Sequence, residues 1–217
     1  MTMLDIYCER AGAAGLLAEP INLITNAAFI VAAVFAARRL AAEPDLGLRN
    51  GWDLGLLILL LGAIGIGSAL WHSVATGWAV LADVIPITLF LNLYLLSFGW
   101  RVLRLRPLAL LGLWLGYQVL SIGLVVITGP ELLNGSVGYL PALAFLGGFW
   151  WILRRRADPL APTLLVACLL FIGSLTFRTL DMALCEVLPI GLHFLWHLLN
   201  ALLLYLLLRG LIGAHRA

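Results

Sequence analysis

Lysine is absent from the 217 residues, and charged residues of every kind make up only 11% of them. The missing lysine excludes a retinal protein, whose Schiff base needs a lysine amine. The net charge of +2 rests on arginine alone and is too small and too dispersed for a nucleic-acid surface, so no nucleic-acid partner is expected. Linkers, low-complexity tracts and internal repeats are missing as well, which leaves a single domain over 1–217 as the simplest organisation. What fills the chain is apolar: 63% of residues are hydrophobic and the mean hydropathy is +1.07, values that belong to a membrane protein and not to a soluble domain. The N-terminus MTMLDIYCER is mixed and acidic, unlike a secretory signal, so the first apolar segment is expected to stay as a span.

A helix needs about 20 mostly apolar residues to cross the hydrocarbon core. Seven segments come close to that length, at 20–38, 53–73, 80–100, 107–127, 138–153, 160–178 and 190–209, the fifth being the shortest, separated by turn-rich breaks such as AAEPDLGLRNG, TGPELLNGS and RRRADP. The fold class is therefore an all-α membrane protein, a seven-transmembrane helix bundle. Arg38, Arg39 and Arg49 follow the first span, Arg101, Arg104 and Arg106 the third, Arg154, Arg155 and Arg156 the fifth, and Arg209 and Arg216 the seventh; only Arg10 and Arg178 lie on the other side. The positive-inside rule then puts the N-terminus outside and the C-terminus in the cytoplasm. Cys8 and Cys185 fall on the outer side, where a disulfide can persist, although topology alone equally allows two unrelated thiols. Cys168, within the sixth span, reads as a small packing residue.

Ionisable residues inside spans are costly and usually face the bundle interior with a partner. The second span ends with Ser68 and His72 one turn apart, the third opens with Asp83, and the seventh opens with His193 and His197 one turn apart. Since the second span runs outward while the third and seventh begin outside, these five residues share one depth near the outer face. Three histidines leave room for water on a catalytic zinc, whose bound water has a pKa near ~7. Asp83 would take the proton and Ser68 would donate to the oxyanion of an attacked carbonyl. Blander readings stand beside this one: the histidines as interhelical glue, Asp83 as a helix-start residue favoured by the dipole, Ser68 as a small packing residue. His215, in the cytoplasmic tail, is excluded as a ligand.

The stretch SALWHSVATGWAVLADVIP resembles the alkaline ceramidase family, with its Ser, a His four residues on and an Asp eleven residues after the His. FRTLDMALCEVLPIGLHFLWHLL is similar to the same family's closing block, and DIYCERAGAAGLLAEPINLITN to its opening. The resemblance implies a seven-helix intramembrane amidase of the superfamily that includes adiponectin-receptor-like proteins. By motif it implies zinc on His72, His193 and His197, Asp83 assisting the attacking water, Ser68 at the oxyanion or ligand shell, and a Cys8–Cys185 pair. It also implies a calcium site, for which Asp5, Glu9 and Glu19 are the available ligands. Here the sequence departs from the family, because Asp5 stands one residue farther from the Cys and Ala11 replaces an Asn.

The implied substrate is a lipid, ceramide or another long-chain N-acyl amide, cut to a fatty acid and a free amine such as sphingosine. Residue usage resembles that of a high-GC bacterium, so the expected location is the bacterial inner membrane with the site toward the periplasm. The main rival is a seven-helix receptor or lipid-binding protein with structural zinc and no turnover. A membrane cytochrome using His72 opposite His193 or His197 as axial haem ligands is a further alternative.

Overall fold

The computed structural model describes residues 6–13, 15–47 and 49–214. Among these residues there is no strand, and seven helices are long and apolar enough to cross a membrane. They are α1 (Pro20–Ala41, with a turn at Asn26), α2 (Trp52–Val74), α3 (Gly77–Arg101), α4 (Pro107–Thr128), α5 (Ser136–Arg155), α6 (Ala161–Leu180) and α7 (His193–Gly213). The protein is an all-α, multi-pass integral membrane protein.

Local chemistry sets the ends of these helices. Proline occupies the first turn of α1, α4 and α6, where its missing N–H costs no hydrogen bond. The last helix starts three residues later than the hydropathy pattern suggests, at His193 instead of 190. Pro189 lacks an amide hydrogen and Gly191 sits at φ +66°, so the chain stays out of helix until Leu192.

Between α2 and α3 the reversal is tight. Ala75, left-handed at φ 44°, donates its N–H to the Trp71 carbonyl, and α3 begins at Gly77. Inside this pair Gly67 allows the backbones to meet, since a Cβ there would run into the carbonyl of Ala82. The contact lies one residue from both Ser68 and Asp83, and it fixes how near the two helices hold those side chains.

The interior belongs to α2 and α7, each buried on several faces, with Leu61, Ile64, Leu208 and Ile212 among the fully enclosed side chains. The helix α4 is peripheral and buries only Tyr117. Its Val119, Val126 and Ile127 are exposed, as lipid-facing residues of a span should be.

The two ends of the bundle differ in character. At one, Arg39, Arg101, Arg104 and Arg209 gather around a common depression, and Arg101 pairs with Asp53. At the other, Tyr7, Cys8 and Arg10 from the segment before α1 are buried against the helix ends. Cys8 and Cys185 are joined there by a disulfide with the Cα atoms 5.2 Å apart, the pairing that the family resemblance implies.

Candidate metal centre

His72 comes from the last turns of α2, and His193 and His197 from the first two turns of α7. All three are almost completely buried at the disulfide-bearing end. Each offers a ring nitrogen within 4.8 Å of the other two, and among the described residues this is the group able to hold a metal ion. The ring centres are 4.7 Å apart for His193 and His197, 4.8 Å for His72 and His197, and 5.2 Å for His72 and His193.

The hydrogen-bond network assigns the tautomers of two of them. His72 Nδ1 lies 2.5 Å from Glu19 Oε2. Burial would raise the Glu19 carboxyl, but hydrogen bonds from His72, Arg10 and Asn22 outweigh it and hold the group below the usual carboxylate range. Glu19 is therefore an acceptor, and His72 donates from Nδ1. His197 Nδ1 lies 2.9 Å from Thr25 Oγ1, whose own hydroxyl is within reach of the Ile21 and Asn22 carbonyls at 2.8 and 3.0 Å. The Thr25 proton goes to a carbonyl, so its oxygen accepts from His197 Nδ1. Both Nε2 atoms are then lone-pair acceptors, and they face each other at 3.1 Å. A contact of that length is satisfied either by a proton shared between the two rings or by a metal cation beside them.

His193 is held differently. Its ring stacks on Tyr7 with centres 3.9 Å apart, and its backbone N–H donates to Asp181 Oδ1 at 2.9 Å. The same oxygen accepts from Leu192 N–H at 2.5 Å, while Oδ2 accepts from Cys8 N–H at 3.1 Å. Asp181 thus satisfies two open donors at the start of α7 and ties the N-terminal segment to it. His193 Nδ1 is buried without a hydrogen-bond partner. A buried imidazole nitrogen without a hydrogen-bond partner, on a member of the three-histidine group, fits a cation site.

Ser68 is buried one turn before His72, and Asp83 on α3 interacts with Ser68 and electrostatically with His72 and Arg178. The structure therefore brings all five residues of the sequence-level site to one end of the bundle. Below them lies a narrow apolar cavity of about 70 Å³, lined by Phe29, Ile64, Phe90, Trp196 and Asn200 among others.

The acidic residues read as calcium ligands have other partners. Glu9 accepts from the backbone N–H groups of Ile21 and Asn22 at 2.7 and 2.8 Å, capping the start of α1. Glu19 pairs with buried Arg10 at 2.6 Å as well as with His72, and Arg10 also donates to the His72 carbonyl at 2.9 Å. Asp5 and His215 lie outside the described residues. Sequence reasoning missed Thr25, Tyr7 and the capping role of Asp181. The last is eleven and twelve residues from the amides it caps, beyond any local capping pattern.

Fold and site together define a seven-helix membrane protein with a buried three-histidine centre at one end. The family model described as Ceramidase matches residues 7–214, and the chain belongs to that family. No curated protein matches it. Membership supports a membrane hydrolase acting on an amide, with ceramide as the family's substrate.

Proposed function

We propose that this protein is an intramembrane zinc-dependent amidase that hydrolyses ceramide or a related long-chain N-acyl lipid to a fatty acid and a free amine. The observation that carries the reading is the pair of Nε2 atoms of His72 and His197, facing at 3.1 Å with both Nδ1 atoms already committed. His72, His193 and His197 would hold the zinc; when bound, zinc supplies a water acidic enough to attack near neutral pH and polarises a carbonyl.

The remaining chemistry belongs to side chains. Asp83 accepts the proton of the attacking water and returns it to the departing amine. Ser68 donates its hydroxyl to the charge developing on the amide oxygen, and its interaction with Asp83 keeps both groups oriented. Glu19 and Thr25 hold the tautomers of His72 and His197, the part played by oxygen acceptors around metal-binding histidines generally. We assign Glu9 and Glu19 to the first helix and to His72, and not to calcium. The apolar cavity under the histidines receives the start of the acyl chain, which explains why imidazoles occupy so apolar a helix.

Two observations support the orientation. The arginine-rich end fits the cytoplasm, and the disulfide beside the histidines fits an oxidising compartment outside it. The direct test is metal analysis of protein purified without chelator, paired with fatty-acid release from N-acyl lipids. One zinc per chain and turnover, both lost in His193→Ala, is the expected result. Full activity in that variant would sink the assignment, and zinc without turnover would favour a binding protein or receptor.

A further inference from the structure

We propose that the end of the bundle opposite the histidines carries a binding site for an anionic phospholipid, one bearing two phosphodiesters joined by a short bridge. The site is separate from the metal centre and stands whether or not the chain cleaves an amide. Two depressions lie side by side at this end. The larger, about 740 Å³, has Arg39, Arg101, Arg104 and Arg209 on its walls. The smaller, about 270 Å³, is lined by Arg49, Asn50, Arg101 and Arg104 together with Trp52 and Trp100. Arg101 and Arg104 belong to both, so the two spaces adjoin across a shared basic wall. Two of the five guanidinium groups are committed, Arg101 to Asp53 and Arg39 to Glu43 at 3.2 Å. Arg49, Arg104 and Arg209 are exposed and form no ion pair with a described residue. One carboxylate, Asp158, lines the larger depression, and its Oδ1 accepts the Leu160 N–H at 2.8 Å beside the start of α6.

The backbone fixes the shared wall. Arg104 sits at φ +56°, a conformation uncommon outside glycine. Leu103 and Leu105, on either side of it, donate their N–H groups to the carbonyls of Phe98 and Gly99 at 3.2 and 3.0 Å. The reversal after α3 is thus pinned on both sides of the arginine. Charge then selects the ligand. Guanidinium groups pair with phosphate oxygens in bidentate, charge-assisted hydrogen bonds. Two hollows with a cationic wall in common suit two phosphates held a short distance apart, and the three unpaired arginines outweigh the two negative charges. The setting favours a lipid over a soluble phosphate. Trp52 and Trp100, both more than half exposed, flank the smaller hollow, and exposed indoles of a membrane protein sit at headgroup level. Val166 and Leu169 are exposed on α6 within two turns of Thr163, which lines the larger hollow, and offer an apolar surface to acyl chains. Basic pockets between the ends of spanning helices recognise phospholipid headgroups by the same chemistry.

Native mass spectrometry of delipidated protein in neutral detergent, titrated with tetraoleoyl cardiolipin, tests the site. One cardiolipin per chain is expected, bound about tenfold or more tighter than dioleoylphosphatidylglycerol at matched phosphate, because its two phosphates are linked. Dioleoylphosphatidylcholine, whose phosphate carries its own cation, and excess pyrophosphate should not displace it. Arg104→Gln should weaken cardiolipin binding by about tenfold, and Arg49→Gln or Arg209→Gln by about fivefold each. Arg106→Gln and Arg156→Gln remove arginines of the same end that line neither hollow, and should change the affinity by less than about twofold. The Cys8–Cys185 disulfide and the melting temperature report whether each variant is folded. Equal binding of cardiolipin and phosphatidylglycerol at matched phosphate overturns the inference. So do losses in Arg106→Gln and Arg156→Gln as large as those in the hollow variants, which would mean diffuse surface charge. Displacement by excess pyrophosphate assigns the hollows to a soluble phosphate and overturns it as well. The comparison of lipids on wild type decides the matter even where a variant fails to fold. It reads binding and not turnover, so its outcome leaves the hydrolase reading untouched.

Discussion

Glu19 and His72 meet at 2.5 Å across 53 positions of sequence, and Arg10 holds the other Glu19 oxygen at 2.6 Å. A carboxylate from the loop before α1 thereby sets which nitrogen of His72 points at the other histidines. Removing its charge separates the tautomer-setting role from simple packing.

Glu19→Gln should accordingly weaken zinc binding by about 10–100-fold, the usual consequence of losing the acceptor behind a metal-bound imidazole. The amide keeps the shape of the side chain, but Arg10 loses its buried counter-charge, so thermal stability should fall as well. Competition with a chelator of known affinity measures the first effect and a melting curve in detergent the second. Unchanged zinc affinity in a folded variant would remove Glu19 from the centre.

Gly67 offers a test of geometry alone. A methyl group at this position must displace the backbone of Ala82, so Gly67→Ala should push α2 and α3 apart next to Ser68 and Asp83. Overpacking of this kind typically costs about 1–3 kcal/mol. The expected result is a lower melting temperature and reduced turnover in protein that still carries zinc, because the three histidines come from α2 and α7 and none from α3. A variant indistinguishable from wild type in both would mean that the close helix contact does not govern the site.

Much of this arrangement was legible in the sequence, for identifiable reasons. Hydropathy and turn residues locate the seven spans, because a bilayer accepts little else, and alternating direction brings residues 68, 72, 83, 193 and 197 to one depth. The start of α7 was misplaced by three residues because Pro189 and Gly191 sit inside an otherwise apolar run. Asp181 and Thr25 were invisible as site residues, since their partners are chosen by tertiary contact: Thr25 meets His197 across 172 positions. The resemblance offered Glu9 and Glu19 as calcium ligands, whereas in the structure Glu9 caps the first helix and Glu19 pairs with Arg10 and His72.

The disulfide ties the segment carrying Tyr7 to the connection just before His193. Closing a loop of 177 residues, it should contribute several kcal/mol of stability, about 2–4 by the range typical of such bonds. Wild type should shift in mobility on reduction and Cys8→Ser should not. Because Tyr7 stacks on His193 next to Cys8, reduced protein should also release zinc to chelator faster than oxidised protein. Equal release rates would show that the stack persists without the covalent tie.

Asp83 and Ser68 separate catalysis from metal binding. Neither belongs to the three-histidine group, yet Asp83 interacts with both Ser68 and His72. Asp83→Asn keeps the size and polarity of the side chain but removes the base, so zinc content should stay at the wild-type level while kcat falls by about 10²–10⁴. Ser68→Ala removes one donor to the developing oxyanion and should cost about 10²–10³ in kcat with little change in zinc. Fatty-acid release and metal analysis on the same preparations read both quantities. Loss of zinc in Asp83→Asn would move that residue into the metal's own coordination. Full turnover in Asp83→Asn would instead require a different base, and Tyr7, buried and stacked on His193, would be the next to replace.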